Sequence, residues 1–141
     1  MLALPGGGVA INDAYNANPA SLAAAREALA ERPVAGRRIA VLGLMAELGP
    51  TGPALHAASG AEAAARGVAV LVAVGPEAAA YLDGSGPGVE AHRVDDAGGA
   101  VDLLEALVRP GDAVLVKGSR SAGLEGVAAG LAGRLANRVA P

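Results

Sequence analysis

Two short polar strings in this chain concentrate the side chains that chemistry needs. The first is Asn12-Asp13-Ala14-Tyr15-Asn16-Ala17-Asn18-Pro19, which gathers acid, amide and phenol groups within seven residues. An Asp at a strand end accepts hydrogen bonds from a ribose diol, and Tyr15 and Asn16 suit a flat heterocycle by packing and amide hydrogen bonding. The competing reading is local: Asn and Asp are good loop and cap residues, and Asn18 before Pro19 reads as a helix N-cap. For Asp13 and Asn16 both readings stand on the residues alone. The second string is Lys117-Gly118-Ser119-Arg120. Cations, a hydroxyl and the free N–H groups of a following helix would suit a carboxylate or phosphate, and ordinary turn chemistry explains the same residues. It lacks the spacing of a Walker A loop. His56 lies on a helix and Glu47 in a loop, and each alone is more simply structural or solvated.

Placement of these strings follows from the elements around them. Apolar runs separated by Gly and Pro predict strands at Val9–Ile11, Ile39–Leu42, Val68–Val74, Val89–Val94 and Ala113–Val116. Helices are expected from Pro19 to before Pro33, from about Pro53 to Arg66, from Pro76 to Leu82, from Asp96 to Val108 with Asp95 as cap, and from about Ser121 to Ala136. This alternation predicts an α/β fold: a Rossmann-like, open, mostly parallel sheet of five to six strands with helices on both faces. Ligands in such sheets sit at the carboxyl ends of the strands, where strand order reverses. Both polar strings fall there, as do the loops Gly43–Gly52 and Gly75–Glu77. Residues 1–8 and 137–141 are expected to be frayed ends around one domain spanning 9–136.

Composition narrows the classes. The 141 residues carry a net charge of -3, 52% hydrophobic residues, two Tyr, no Phe, no Trp and no Cys. A chain this apolar is not disordered, and it lacks the basic patch and aromatic platforms of nucleic-acid binding. Cysteine metal sites and thiolate nucleophiles are excluded, and no metal site is expected. The apolar runs are too short for a membrane span, and no targeting segment is visible, so a cytoplasmic protein is expected.

Four strings occur in order: INDAYNANPASLAAAREAL, RRIAVLGLMAELG, a helix carrying LH, and AVLVKGSR. Together they resemble the C-terminal domain of the Mur ligase family, over about residues 9–136. The YNANP string is similar to the MurF type, which adds D-alanyl-D-alanine to UDP-N-acetylmuramoyl-tripeptide. The resemblance implies an ATP- and Mg2+-dependent amide ligase of peptidoglycan precursor synthesis. Its complete form also has a UDP-sugar domain and a central P-loop domain, both outside these residues. It implies that Asp13, Tyr15 and Asn16 contact the nucleotide. It also implies that Lys117, Ser119, Arg120 and His56 lie on the side of the incoming amine and the phosphate. No catalytic residue, bound cofactor or independent turnover is expected of this domain alone. The other reading is a stand-alone Rossmann-like module that binds a nucleotide or dipeptide without catalysis.

Overall fold

The first helix starts where its sequence dictates. Asn18 Oδ1 accepts from the Ser21 N–H at 2.8 Å, and the Asn18 N–H donates to Ser21 Oγ at 3.1 Å, a reciprocal capping box with Pro19 at the first helical position. This computed structural model describes residues 1–13, 18–46, 48–118 and 122–139. Its strands are β1 (Leu2–Ala3), β2 (Val9–Asp13), β3 (Arg38–Leu42), β4 (Val68–Val74), β5 (Glu90–Val94) and β6 (Ala113–Lys117). Its helices are α1 (Pro19–Glu31), α2 (Gly52–Ala65), α3 (Ala80–Ser85), α4 (Ala97–Leu107) and α5 (Val127–Val139).

The six strands form one sheet in the order β1-β2-β6-β3-β4-β5, parallel except for β1. Period-two alternation sorts each strand's residues between two apolar layers. In β3, Ile39 and Val41 join the layer of α4 and α5, while Ala40 and Leu42 join the layer of α1, α2 and α3. β6 divides likewise, with Val114 and Val116 on the first face and Ala113 and Leu115 on the second. Burial on both faces explains why these strands read as unbroken apolar runs.

The chain runs outward from β2 through β3 and β4 to β5 using α1, α2 and α3 on one face. It then returns by α4 on the other face to insert β6 between β2 and β3. The strand order therefore reverses at β6, and the crevice lies over the carboxyl ends of β2, β6 and β3.

Three expectations are corrected. Residues 1–8 are not frayed: Leu2 and Ala3 pair antiparallel with Ala10 and Val9, and Leu4 is buried. Two residues are too few to leave a periodic signal. At the other end α5 continues through Asn137 to Val139 instead of ending at Ala136, and it starts at Val127 rather than Ser121. Gly123 at φ 70° interrupts helical geometry ahead of it. The cap of α4 is Asp96, whose Oδ1 accepts from Gly99 N–H at 2.8 Å, and not Asp95.

A core this poor in aromatics closes by backbone approach. A Cβ on Gly60 would fall well inside contact distance of the Tyr81 carbonyl, and one on Gly84 would do the same at the Ala57 carbonyl. The two glycines thus let α2 and α3 touch main chain to main chain. Helix propensity favours Ala over Gly by about 1 kcal/mol, but here the clash dominates. Gly60→Ala should cost about 1–3 kcal/mol in urea unfolding. Gly133→Ala in α5, where an added Cβ meets nothing within 4 Å, should gain about 0.5–1 kcal/mol. Equal signs for the two variants would refute this packing account.

Candidate functional site at the strand ends

Register brings the two polar strings together. Asp13 ends β2 opposite Lys117, which ends β6, and Lys117 also pairs with Leu42 at the end of β3. Lys117 Nζ donates to Asp13 Oδ2 at 2.8 Å. The lysine side chain is 1% exposed, whereas the aspartate is 48% exposed. One partner is sealed into the sheet and the other is half exposed. By alternation both fall on the face of α1, beside Ile11 and Leu115. Asn12, on the opposite face, donates from Nδ2 to the Glu125 carbonyl at 3.1 Å and ties β2 to the segment before α5. The late start of α5 removes one expected element. The helix expected to open just after Gly118 starts only at Val127.

The third strand end is held more tightly still. Gly43 N–H donates to the Lys117 carbonyl at 2.8 Å. A side chain at Gly43 would meet Ala122 Cβ at 2.7 Å, and Gly118 Cα is 3.5 Å from that point, so glycine is required where β3 and β6 exit together. The Gly43 carbonyl accepts from the Tyr81 hydroxyl at 2.9 Å. Burial pushes the Tyr81 phenol well above its ordinary pKa, so it stays a neutral donor. His56 Nε2 accepts from Met45 N–H at 3.0 Å, and Nδ1 lies 2.6 Å from the Gly52 carbonyl. The ring is thus the neutral tautomer carrying its proton on Nδ1.

With both nitrogens committed to main chain, His56 has no ring nitrogen left to bond a ligand. It instead shapes the loop. Leu44, Met45, Leu48, Pro53, His56 and Glu77 line a cavity of about 400 Å³. An adjoining cavity of about 300 Å³ shares Leu44 and Glu77 and reaches Asp95 and Asp96. The bond from Tyr81 to this strand end was not foreseen from the sequence; the residue's only signal was rarity, as one of two aromatics in the chain. Tyr15, Asn16, Glu47, Ser119 and Arg120 lie outside the described residues. Among the described residues no group of three or more His, Asp or Glu side chains is placed to hold a metal ion. No described helix is long and apolar enough to cross a membrane.

Residues 2–120 match the family model described as Mur ligase, glutamate ligase domain. This chain belongs to the Mur ligase family. Within it the likeness is to MurF. The UDP-N-acetylmuramoyl-tripeptide–D-alanyl-D-alanine ligase of Mycobacterium tuberculosis is 44% identical over 139 residues, which cover 84% of this chain and 27% of that protein. The Escherichia coli ligase of the same name is 39% identical, with 83% of this chain and 25% of that protein covered. Among solved structures, MurF ligase from Thermotoga maritima in complex with ADP superposes with a TM-score of 0.82 at 27% identity, over 98% of this chain and 31% of that one. MurF from Acinetobacter baumannii gives 0.79 at 31% identity, over 94% and 29%. The Mur ligase domain described here thus spans about a quarter of the length of the curated relatives it matches.

Proposed function

We propose that this Mur ligase domain is the C-terminal domain of a MurF-type enzyme, an ATP-dependent ligase that joins D-alanyl-D-alanine to UDP-N-acetylmuramoyl-tripeptide in the cytoplasm. The observation that carries the reading is the Asp13–Lys117 pair at the reversal point of the sheet. Its half-exposed carboxylate is fixed by a buried ammonium at the place where open α/β sheets take ligands. Asp13 has the acceptor geometry for a ribose diol, with Tyr15 and Asn16 following it in sequence toward the base. The ADP named for the Thermotoga maritima structure supports this assignment. The Gly43–Met45 loop and its cavity, with Ser119 and Arg120 beyond Lys117, form the side facing the amine substrate.

In this reading the chemistry is an acyl phosphate made from the tripeptide carboxylate and then attacked by the dipeptide amine, with phosphate leaving. The domain contributes proximity: closing on a central P-loop domain brings nucleotide, acyl phosphate and amine together. Mg2+ and the phosphoryl-transfer groups belong to that other domain, and the 141 residues alone should not turn over. Mixing the chain with the UDP-sugar and central domains tests the whole reading. Phosphate release that needs both the tripeptide precursor and D-alanyl-D-alanine is expected. Demonstrated association without turnover would leave only the stand-alone binding module. Asp13→Asn, which keeps one acceptor oxygen but loses the charge, should raise the KM for ATP about tenfold, in line with one charge-assisted hydrogen bond worth roughly 1.5 kcal/mol. An unchanged KM for ATP would remove Asp13 from the nucleotide site.

A further inference from the structure

We propose that His56 and Tyr81 are positioning residues for this reaction: they clamp the Gly43–Met45 exit of β3 in the conformation that walls the cavity at the strand ends. Three main-chain groups in three residues are fixed, each by a different element. β6 takes the Gly43 N–H, α3 donates to the Gly43 carbonyl through Tyr81, and α2 accepts the Met45 N–H through His56. Met45 is itself buried beside them. The two rings brace one another edge to face, with centroids 4.7 Å apart and planes at 65°. The glycine contacts between α2 and α3 set that spacing.

Packing alone does not call for these side chains. The layer around them is Leu, Ala and Val, and Phe and Leu would fill the same space without burying a hydroxyl and an imidazole. The Tyr81 hydroxyl and His56 Nε2 are satisfied only while the loop holds its present path. Two desolvated hydrogen bonds are thereby spent on one short segment, and that segment borders the cavity through Leu44 and Met45. His56 and Tyr81 act through the loop and need not touch substrate. The inference rests on the assignment of this cavity to the amine side.

Amide hydrogen exchange on the 141-residue chain tests the clamp apart from that assignment. Tyr81→Phe removes one oxygen and should speed exchange at residues 44–46 tenfold or more, while β4 amides change less than threefold. His56→Leu should do the same, and His56→Gln, whose amide oxygen can accept from Met45 N–H, should restore most of the protection. Exchange that is unaltered at the loop, or that rises equally in β4, would overturn the proposal as a matter of global stability. In the complete ligase, Tyr81→Phe should raise the KM for D-alanyl-D-alanine three- to tenfold with kcat within twofold. A loosened loop with a shifted KM for ATP instead would keep the clamp and displace the amine assignment. A loosened loop with no kinetic change would overturn the positioning role.

Discussion

Asp112→Ala should cost the domain about 3–5 kcal/mol in urea unfolding at neutral pH, the range for breaking a buried ion pair from one side. Asp112 stands just before β6, at the end of the sheet away from the candidate site, and its side chain is 2% exposed. Oδ1 accepts from the Arg37 N–H at 2.7 Å, and Oδ2 accepts from the Arg109 N–H at 2.9 Å and from Arg37 Nη2 at 3.0 Å. Its carbonyl also accepts from Val9 N–H at 3.1 Å. The residue therefore gathers the starts of β2, β3 and β6. Alanine would leave the Arg37 and Arg109 amides without their acceptor, and the largely buried Arg37 guanidinium with its bond to the Leu107 carbonyl but without its carboxylate. Among the described residues Arg37 Nε already has none. Against a typical total stability of about 5–15 kcal/mol, that is a large share.

The same geometry fixes a pH dependence. Burial pushes the Asp112 carboxyl up, but the two N–H donors and the Arg37 guanidinium outweigh it and hold it below the ordinary range. The unfolded chain therefore takes up this proton first as pH falls. The stabilisation is fully present above the unfolded value of about 3.9 and is lost as pH drops through the lower folded value. Asp112→Asn should flatten that acid limb of the stability curve. A wild-type slope retained in this variant, or an alanine cost under about 1 kcal/mol, would show that Asp112 is not the hub of this end.

How much of this was legible in the sequence depended on the range of the interaction. Asn18-Pro19 announced α1 because a capping box is complete within four residues. The runs at Ile39–Leu42 and Val68–Val74 announced central strands because burial on both faces leaves a continuous apolar signal. Strand alternation then put Asp13 and Lys117 at the same edge, and the register confirmed their meeting across 104 residues of chain. Tyr81 and Asp112 escaped notice because their partners, Gly43 and Arg37, lie 38 and 75 residues away and are main-chain or common polar groups. His56 was visible as a helical residue, but its bond to the loop after β3 was not, for a related reason. Its residue type signals chemistry, whereas its two main-chain partners carry no side-chain signature. The start of α5 was misplaced since Ala122 and Leu124 resemble helix residues, and the break is made by backbone angle at Gly123.

Lys117→Met should separate function from folding. In the complete ligase kcat/KM should fall at least a hundredfold, while the unfolding midpoint of the domain stays close to the original. Lys117 follows Ala-Val-Leu-Val in a central strand, and its main-chain bond to Gly43 survives any side-chain change. Methionine has a similar reach and flexible packing. Removing the buried ammonium also removes the cost of taking it out of water on folding. Asp13, half exposed, can be rehydrated when its partner goes. What is lost is the fixed direction of its carboxylate, and misplacement of a substrate-orienting group by about 1 Å can cost a hundredfold in rate. Crossing the change with Asp13→Asn distinguishes the routes. If Lys117 acts only by aiming Asp13, the double variant is no slower than Lys117→Met alone. A further drop assigns Asp13 a contact that survives without the lysine, and a large loss of stability in Lys117→Met would make the pair a structural one after all.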